Sequence, residues 1–199
     1  MLAVTGGKGG VGKTTTALGT ARAVAQAGRR PVVVDADLDL PNLAAMAGVE
    51  PDGLGVVSAG APLAAAPTIG GVTVLGTQPG TPPTTLQQVL DRLATTDRPV
   101  LVDCPAGAGM PHGIALRAAT DSLVVTRPRE CALADALKSS VLARRLDAPP
   151  TATVFNETTS VPVVASKLDV SSPVAVPSHG TQSVTTVDTT AYQPLRDAV

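Results

Sequence analysis

The sequence predicts an α/β fold, specifically a three-layer α/β/α sandwich with a mostly parallel, doubly wound sheet. Short apolar segments that suit strands alternate with longer segments that suit helices, and this alternation is typical of parallel sheets covered by helices. Residues 32–34 are all valine, as expected of a strand that is buried on both faces. With 199 residues, of which 44% are hydrophobic, we expect a single domain over residues 1–199 with a sizeable core.

The predicted elements follow in chain order. We predict strands at residues 2–5, 31–35, 72–75, 99–104, 122–126, 152–155 and 174–176. We predict helices at 13–27, 42–48, from a cap at Thr84 or Thr85 to about 95, at 114–119, 130–146 and 191–199. The last of these tolerates Pro194 only in its first turn. Residues 51–70 are ambiguous, and residues 156–183 give little evidence of a helix.

Composition excludes some classes of function. The 15 basic and 16 acidic side chains give a net charge of -1, which does not favour a dedicated nucleic-acid binder but allows a local basic patch. Phe155 and Tyr192 are the only aromatic residues, so a stacking platform for single-stranded nucleic acid is not expected.

The cysteines and histidines carry no recognisable metal motif. Cys104 and Cys131 are too far apart for a Cys-x-x-Cys pair, which favours a reducing compartment and two buried small residues. His112 and His179 lack metal-ligand spacing, and we expect both at surface or turn positions.

No targeting or membrane-spanning segment is predicted. The apolar start of the chain ends at the glycine run after residue 5, too early for a signal peptide. No stretch approaches the ~18 apolar residues of a membrane span. We therefore expect a cytoplasmic protein.

A glycine-rich loop joins the first strand to the first helix. It comprises Gly7, Lys8, Gly9, Gly10, Val11, Gly12, Lys13 and Thr14, followed by Thr15, and it fits the phosphate-loop pattern G-x-x-x-x-G-K-[ST] in the required context. Glycines let several backbone N–H groups converge on phosphate oxygens, and the helix N-terminus adds partial positive charge. Lys13 is expected at the β and γ phosphates, and the Thr14 hydroxyl is expected at Mg²⁺.

Three aspartates follow strands, where the ligands of such sheets bind. Asp35 and Asp37 come at the end of the valine strand, and Asp103 ends the apolar segment before Cys104. A structural carboxylate at a strand end or helix cap is the alternative for Asp35 and Asp37. Asp39 lies in the same loop, and we expect it to be solvated.

The loop resembles that of the ParA/MinD family of deviant Walker A ATPases. The resemblance rests on Lys8, five residues before Lys13, on Asp35-x-Asp37 followed by Asn42-Leu43, and on the Pro-Ala-Gly after Cys104, which is closest to the MinD-like branch. It implies a P-loop NTPase fold with ATP and Mg²⁺ as cofactors.

The resemblance also implies roles for individual residues. Lys8 would cross a dimer interface to the partner's nucleotide, and Asp37 would orient the attacking water, so the catalytic set is Lys8, Lys13 and Asp37. Thr14, Asp35 and Asp103 would form or support the Mg²⁺ site. Asn156, after the strand at 152–155, would meet the adenine edge, with Pro177 nearby.

The resulting hypothesis is an ATPase switch with partner-stimulated turnover. ATP would drive formation of a homodimer, and the cycle would position or partition an unidentified cargo with a protein activator. The alternatives are a nucleotide-gated adaptor with negligible turnover and a metallocluster or metal-insertion ATPase.

Two further binding partners, a membrane surface and DNA, are considered from the sequence. Residues 189–199 lack the basic amphipathic pattern of a membrane-surface helix, so no direct membrane anchor is predicted. Arg144 and Arg145 suit the end of a helix, although they could join Arg127 and Arg129 in a DNA-binding patch.

Overall fold

The computed structural model describes residues 1–167, 172–178 and 188–199. Within this part of the chain, eight strands form one sheet: β1 (Leu2–Thr5), β2 (Val32–Asp35), β3 (Thr68–Ile69), β4 (Val72–Leu75), β5 (Val100–Asp103), β6 (Asp121–Thr126), β7 (Pro150–Asn156) and β8 (Pro173–Val176). The strand order is β3-β4-β2-β5-β1-β6-β7-β8. All neighbouring pairs are parallel except β3 with β4.

Six α-helices occur in the described residues: α1 (Lys13–Gln26), α2 (Leu43–Ala47), α3 (Gly53–Ser58), α4 (Pro83–Leu93), α5 (Met110–Ala118) and α6 (Glu130–Arg145). Short 3-10 helices lie at Leu63–Ala65, Val163–Lys167 and Thr190–Ala198.

The sheet separates two apolar layers, because successive strand residues point to opposite faces. Leu2 and Val4 of β1 pack in the layer that contains residues of α1, α2 and the final 3-10 helix. Ala3 packs in the other layer, with residues of α3, α4, α5 and α6. The predicted three-layer α/β/α sandwich is therefore confirmed.

Prolines explain where several helix boundaries differ from the prediction. The predicted cap at Thr84 or Thr85 is wrong: Pro82 is the N-cap of α4 and Pro83 its first residue, a position that suits the fixed φ of proline. The fifth helix begins at Met110 rather than 114 and accommodates Pro111 in its first turn. The ambiguous segment 51–70 contains α3 and β3.

The closing segment is a 3-10 helix instead of an α-helix. Pro194 is its fifth residue rather than part of a first turn, and proline disfavours an α-helix interior because it lacks an N–H donor and crowds the preceding turn. The segment is nevertheless well anchored, since Tyr192 and Leu195 are buried. A methyl group on Gly19 of α1 would collide with the Tyr192 ring, so the two elements pack closely.

The parallel strands bring their carboxyl ends to one edge of the sheet. Thr5, Asp35, Asp103, Thr126 and Asn156 are the last residues of β1, β2, β5, β6 and β7. Loops that follow these strands therefore surround a common region, where ligands bind in open α/β sheets. None of the helices in the described ranges has the length and apolar character that spanning a bilayer requires.

Candidate functional site

The glycine-rich loop wraps around the N-terminus of α1. Gly10 and Gly12 have φ angles of 76° and 95°, a left-handed conformation that glycine adopts without strain. The Lys13 side chain is buried, and its ammonium donates to the Lys8 carbonyl oxygen at 3.3 Å. Lys8 itself is exposed. The two lysines of the motif thus differ, since one belongs to the interior of the loop and the other to its rim.

Asn156 fastens the end of β7 to the glycine-rich loop. Its Nδ2 donates to the carbonyl oxygen of Val11 at 2.8 Å, and it lies 3.3 Å from the Gly12 carbonyl oxygen and from Thr16 Oγ1. A methyl group on Gly12 would collide with the Asn156 amide. The amide nitrogen of Asn156 therefore holds the loop in place, while a contact with a base stays a prediction.

A cavity of about 420 Å³ lies in front of the loop, and we call it the loop cavity. Its lining includes Gly9, Gly10, Gly12, Lys13, Thr14, Thr15, Asp37, Asn42, Asp103 and Arg127. Glycine-rich-loop residues, a lysine and two aspartates thus surround one space, which suits binding of a magnesium-bound polyphosphate.

A second cavity of about 240 Å³ lies beside it, and we call it the strand-end cavity. It is lined by Val11, Gly12, Thr15, Arg127, Asn156, Glu157, Val176, Pro177, Ser178 and Tyr192. Gly12, Thr15 and Arg127 line both cavities, so the two adjoin. The walls combine apolar surface with a few polar groups, which suits a nucleobase. Pro177 lines this cavity, and its position beside a base stays a prediction.

Asp103 is the carboxylate best suited to a cation. It is 2% exposed, and its Oδ1 makes no hydrogen bond within the part of the chain that the structure describes. Burial raises the pKa of Asp103 to about 7, against the opposing effects of a hydrogen bond from Thr14 and the charge of Lys13. The single hydroxyl hydrogen of Thr14 serves one acceptor at a time, and the hydroxyl also lies 3.0 Å from Asn42 Oδ1. Carboxylate, hydroxyl and amide oxygens are the ligands that Mg²⁺ prefers, so these residues fit a magnesium ion.

Asp35 and Asp37 shape the loop between β2 and α2. The Asp35 carboxylate is buried and accepts from the backbone N–H groups of Asp37 at 3.0 Å and Leu43 at 3.1 Å. Burial raises the pKa of Asp35 to about 6. Asp35 therefore makes the contacts of a structural carboxylate at a strand end, the alternative considered from the sequence. Asp37 is half-buried and accepts from the Leu40 N–H at 3.0 Å, whereas Asp39 is exposed as expected.

The expectation for His112 is wrong, because this side chain is 1% exposed. Its Nε2 lies 2.8 Å from Thr5 Oγ1, and its Nδ1 is hydrogen-bonded to the Gly107 carbonyl oxygen. Metal-ligand spacing is absent around His112, so no motif indicated its burial. The only signal in the sequence is that His112 follows Asp103 by nine residues. The other histidine, at position 179, lies outside the described residues.

The two cysteines have different environments. Cys104 is buried, as expected, but Cys131 is exposed at the start of α6. The Lys8 ammonium lies 3.8 Å from Cys131 Sγ. Within the described ranges, no three or more His, Cys, Asp or Glu side chains cluster into a metal site, so the magnesium ion expected near Asp103 would rely on other oxygen ligands as well.

The four arginines of the suggested basic patch are separated. Arg127 and Arg129 precede α6, and Arg144 and Arg145 occupy its last turn. A helix of 16 residues is about 24 Å long. The structure therefore places the two pairs at opposite ends of α6.

Among the lining residues that the sequence did not assign to the site are Asn42, Arg127, Glu157 and Tyr192. Asn42 follows the Asp-x-Asp pair in the sequence, so that motif could have indicated it. The other three come together only through the fold: Arg127 follows β6, Glu157 follows β7, and Tyr192 lies in the closing segment.

The fold and the loop define a phosphate-loop nucleotide-binding protein. Residues 2–172 match the CobQ/CobB/MinD/ParA nucleotide binding domain family, CbiA. The match spans most of the chain, and the chain belongs to this family.

Known proteins support this assignment. The chain is 35% identical over 156 residues to an uncharacterised ATP-binding protein of Methanocaldococcus jannaschii, a match that covers 73% of this chain and 59% of that protein. The cell division ATPase MinD of Pyrococcus furiosus has a similar structure, with a TM-score of 0.77, 26% identity and coverage of 88% and 82% of the two chains.

A further neighbour was solved with ligands. It is the cobyrinic acid a,c-diamide synthase of Mycobacterium smegmatis with a bound ATP analogue and magnesium, at TM-score 0.73, 25% identity and coverage of 99% and 92%. Curated relatives also include septum site-determining MinD proteins and iron-sulfur cluster carrier proteins. The chain spans only about half the length of the curated relatives it matches, between 46% and 59%.

Proposed function

We propose that this chain is a magnesium-dependent ATPase switch of the ParA/MinD type, in which ATP drives homodimer formation and so controls the positioning or partitioning of an unidentified cargo. The observation that carries the proposal is the division of labour between the two loop lysines. Lys13 is buried within the loop, whereas Lys8 is exposed on its rim and is available to a second subunit. A nucleotide-binding loop of this pattern needs only Lys13.

The nucleotide occupies both cavities in this proposal. Its phosphates lie in the loop cavity among the backbone N–H groups of residues 9–15, and its base lies in the strand-end cavity near Pro177 and Tyr192. Asn156 keeps the loop and β7 in register, which aligns the two halves of the site.

Thr14 and Asp103 would hold a magnesium ion, with Asp35 supporting this region from the adjacent strand. When bound, the ion neutralises charge on the phosphates. Asp103 brings a buried oxygen that has no other partner among the described residues. Asp35 fixes the backbone of Asp37 and the start of α2, so it sets the position of the loop that faces the phosphates.

Asp37 orients the water that attacks the γ-phosphate. Its carboxylate lines the loop cavity, and one oxygen accepts from the Leu40 N–H, which limits its rotation. Leu40 is 78% exposed, so this loop can respond to a partner. We therefore infer that turnover is slow until a second subunit or an activator orders the loop.

A nucleotide-gated adaptor with negligible turnover is the second candidate. The exposure of this loop favours it: Leu40, whose N–H holds Asp37, is 78% exposed, and a loop that nothing covers positions water less precisely. Phosphate release, measured with and without candidate partners, separates the two functions. The metallocluster alternative gains nothing from the cysteines, since Cys104 is buried and Cys131 is exposed.

The test is the molar mass by light scattering in Mg²⁺-ATP and in Mg²⁺-ADP, with Asp37→Ala included to slow turnover. We expect a monomer in ADP and a dimer in ATP. A monomer in both states, with ATP demonstrably bound, would overturn the dimer switch.

A further inference from the structure

An ion pair spans the ends of two neighbouring strands beside the candidate site. Arg127 directly follows β6, and Glu157 directly follows β7. Arg127 Nη2 lies 2.6 Å from Glu157 Oε1, with the side chains 28% and 39% exposed. Glu157 has a φ of 59°, a left-handed conformation that a non-glycine residue adopts at a cost. The carboxylate of this pair is therefore carried by a strained backbone position.

Arg127 occupies the boundary between the two cavities. It lines both of them, together with Gly12 and Thr15, whereas Glu157 lines the strand-end cavity alone. A nucleotide with its base in one cavity and its β and γ phosphates in the other has its ribose and α-phosphate at this boundary. Arg127 is thus the cationic side chain that lines both cavities, whereas Lys13 lines the loop cavity alone.

The guanidinium is incompletely satisfied where it lies. Its Nε is buried and makes no hydrogen bond in the portion of the chain that the structure describes. Guanidinium groups bind carboxylates and phosphates best through two parallel N–H donors, and the pairing with Glu157 leaves one of those donors without a partner. A phosphate at the cavity boundary would accept from both once the guanidinium turns away from Glu157 and exposes Nε.

We propose that Arg127 binds the α-phosphate of the nucleotide and that Glu157 is the competing anion that holds Arg127 in the nucleotide-free protein. This inference rests on the proposed function, because it requires a nucleotide in both cavities. It makes Arg127 a recognition residue for the nucleoside monophosphate portion, which ATP, ADP and AMP share.

A purely structural role for the pair predicts a different result. If the ion pair only ties β6 to β7, removal of either partner weakens the site in the same direction. If Glu157 competes with the nucleotide, removal of its charge strengthens binding and removal of Arg127 weakens it. The signs of the two effects therefore distinguish the roles.

The experiment compares Arg127→Ala and Glu157→Gln with the wild type, using competition of ADP, AMP and adenosine against a fluorescent ADP analogue. Arg129→Ala is the matched control, because it removes an exposed arginine two residues away. Loss of a charge-assisted phosphate contact should weaken ADP and AMP binding by roughly 10- to 100-fold in Arg127→Ala. Adenosine, which has no phosphate, should change by less than about 2-fold, and Glu157→Gln should bind ADP up to about 5-fold more tightly.

Several outcomes would overturn the inference. One is an equal loss of AMP and adenosine affinity in Arg127→Ala, and another is weaker ADP binding in Glu157→Gln. If Arg127→Ala fails to fold, the Glu157→Gln result decides alone. A wild type that binds no ADP would instead refute the proposed function, whereas a wild type and Arg127→Ala that bind AMP equally well would refute only the role of Arg127.

Discussion

His112 Nε2 lies 2.8 Å from Thr5 Oγ1, and this hydrogen bond ties the first turn of α5 to the end of β1. The other ring nitrogen is bonded to the Gly107 carbonyl oxygen. A carbonyl oxygen can only accept, so Nδ1 carries the proton, and in the neutral ring Nε2 accepts from the Thr5 hydroxyl. The imidazole thus joins the end of β1 to the loop that follows Asp103.

We expect His112→Ala to lower the free energy of unfolding by roughly 2–4 kcal/mol, because it leaves buried polar groups without partners and opens a cavity. Chemical denaturation measures this loss. His112→Asn, which can retain one donor toward Gly107, should lose less than the alanine variant. Equal stability of His112→Ala and wild type would contradict the bridging role.

The same residue predicts a pH dependence. Burial lowers the pKa of His112 below its ordinary 6.5, so the unfolded chain takes up a proton before the folded protein does. Stability from the neutral ring is present above pH 6.5 and is lost as the pH falls below it. The stability difference between wild type and His112→Ala should therefore shrink on acidification.

Asp103 should give a pH dependence of the opposite sign in metal-free protein. Its folded pKa is about 7 against an ordinary 3.8, so the folded state binds the proton more tightly. Between about pH 4 and 7, the contribution of Asp103 to the free energy of unfolding falls as the pH rises, by on the order of 1 kcal/mol per pH unit. Above pH 7 this contribution is constant.

The check is denaturation of Asp103→Asn beside the wild type from pH 5 to 8. The variant should lose most of the slope between pH 6 and 7 and about half of it between pH 5 and 6, where Asp35, whose pKa is about 6, still contributes. Identical slopes in the two proteins would show that Asp103 does not titrate in this range. Excess Mg²⁺-ADP should flatten the wild-type curve, since bound magnesium favours the ionised carboxylate.

The sequence predicts the sheet better than the ends of its helices. The phosphate-loop pattern and the valine run specify β1, the loop, α1 and β2 locally, because backbone conformation and burial there follow from residue type. The helix boundaries around Pro83, Pro111 and Pro194 depend on where a residue without a backbone N–H is tolerated. The hydrophobic pattern does not report those positions. Tertiary contacts decide the closing segment, where Tyr192 packs on α1.

In the candidate site, too, the sequence predicts what local motifs determine and not what distant residues determine. Lys13, Thr14 and Asp103 lie at the predicted edge because strand ends and loop motifs fix them. The burial of His112 and the pairing of Arg127 with Glu157 depend on residues distant in the sequence. No periodicity or spacing within one segment reports such contacts.

We expect the exposed loop lysine, Lys8, to serve the dimer and not the nucleotide of its own chain. Lys8→Ala should abolish the ATP-dependent dimer while it changes the affinity of the monomer for ADP by less than about 3-fold, because Lys13 and the backbone N–H groups still hold the phosphates. Light scattering measures the dimer, and a competition assay measures the affinity. Lys138→Ala is the matched control, since Lys138 is also exposed and its partner is Asp135 on its own helix at 3.0 Å.

Two results would separate the roles of Lys8. A dimer that persists undiminished in Lys8→Ala would mean that this lysine does not reach a second subunit. Loss of ADP affinity together with the dimer would mean that Lys8 serves the nucleotide of its own chain. Its ammonium lies 3.8 Å from Cys131 Sγ, so reduced alkylation of Cys131 in Mg²⁺-ATP, and not in Mg²⁺-ADP, would report burial of this rim independently of molar mass.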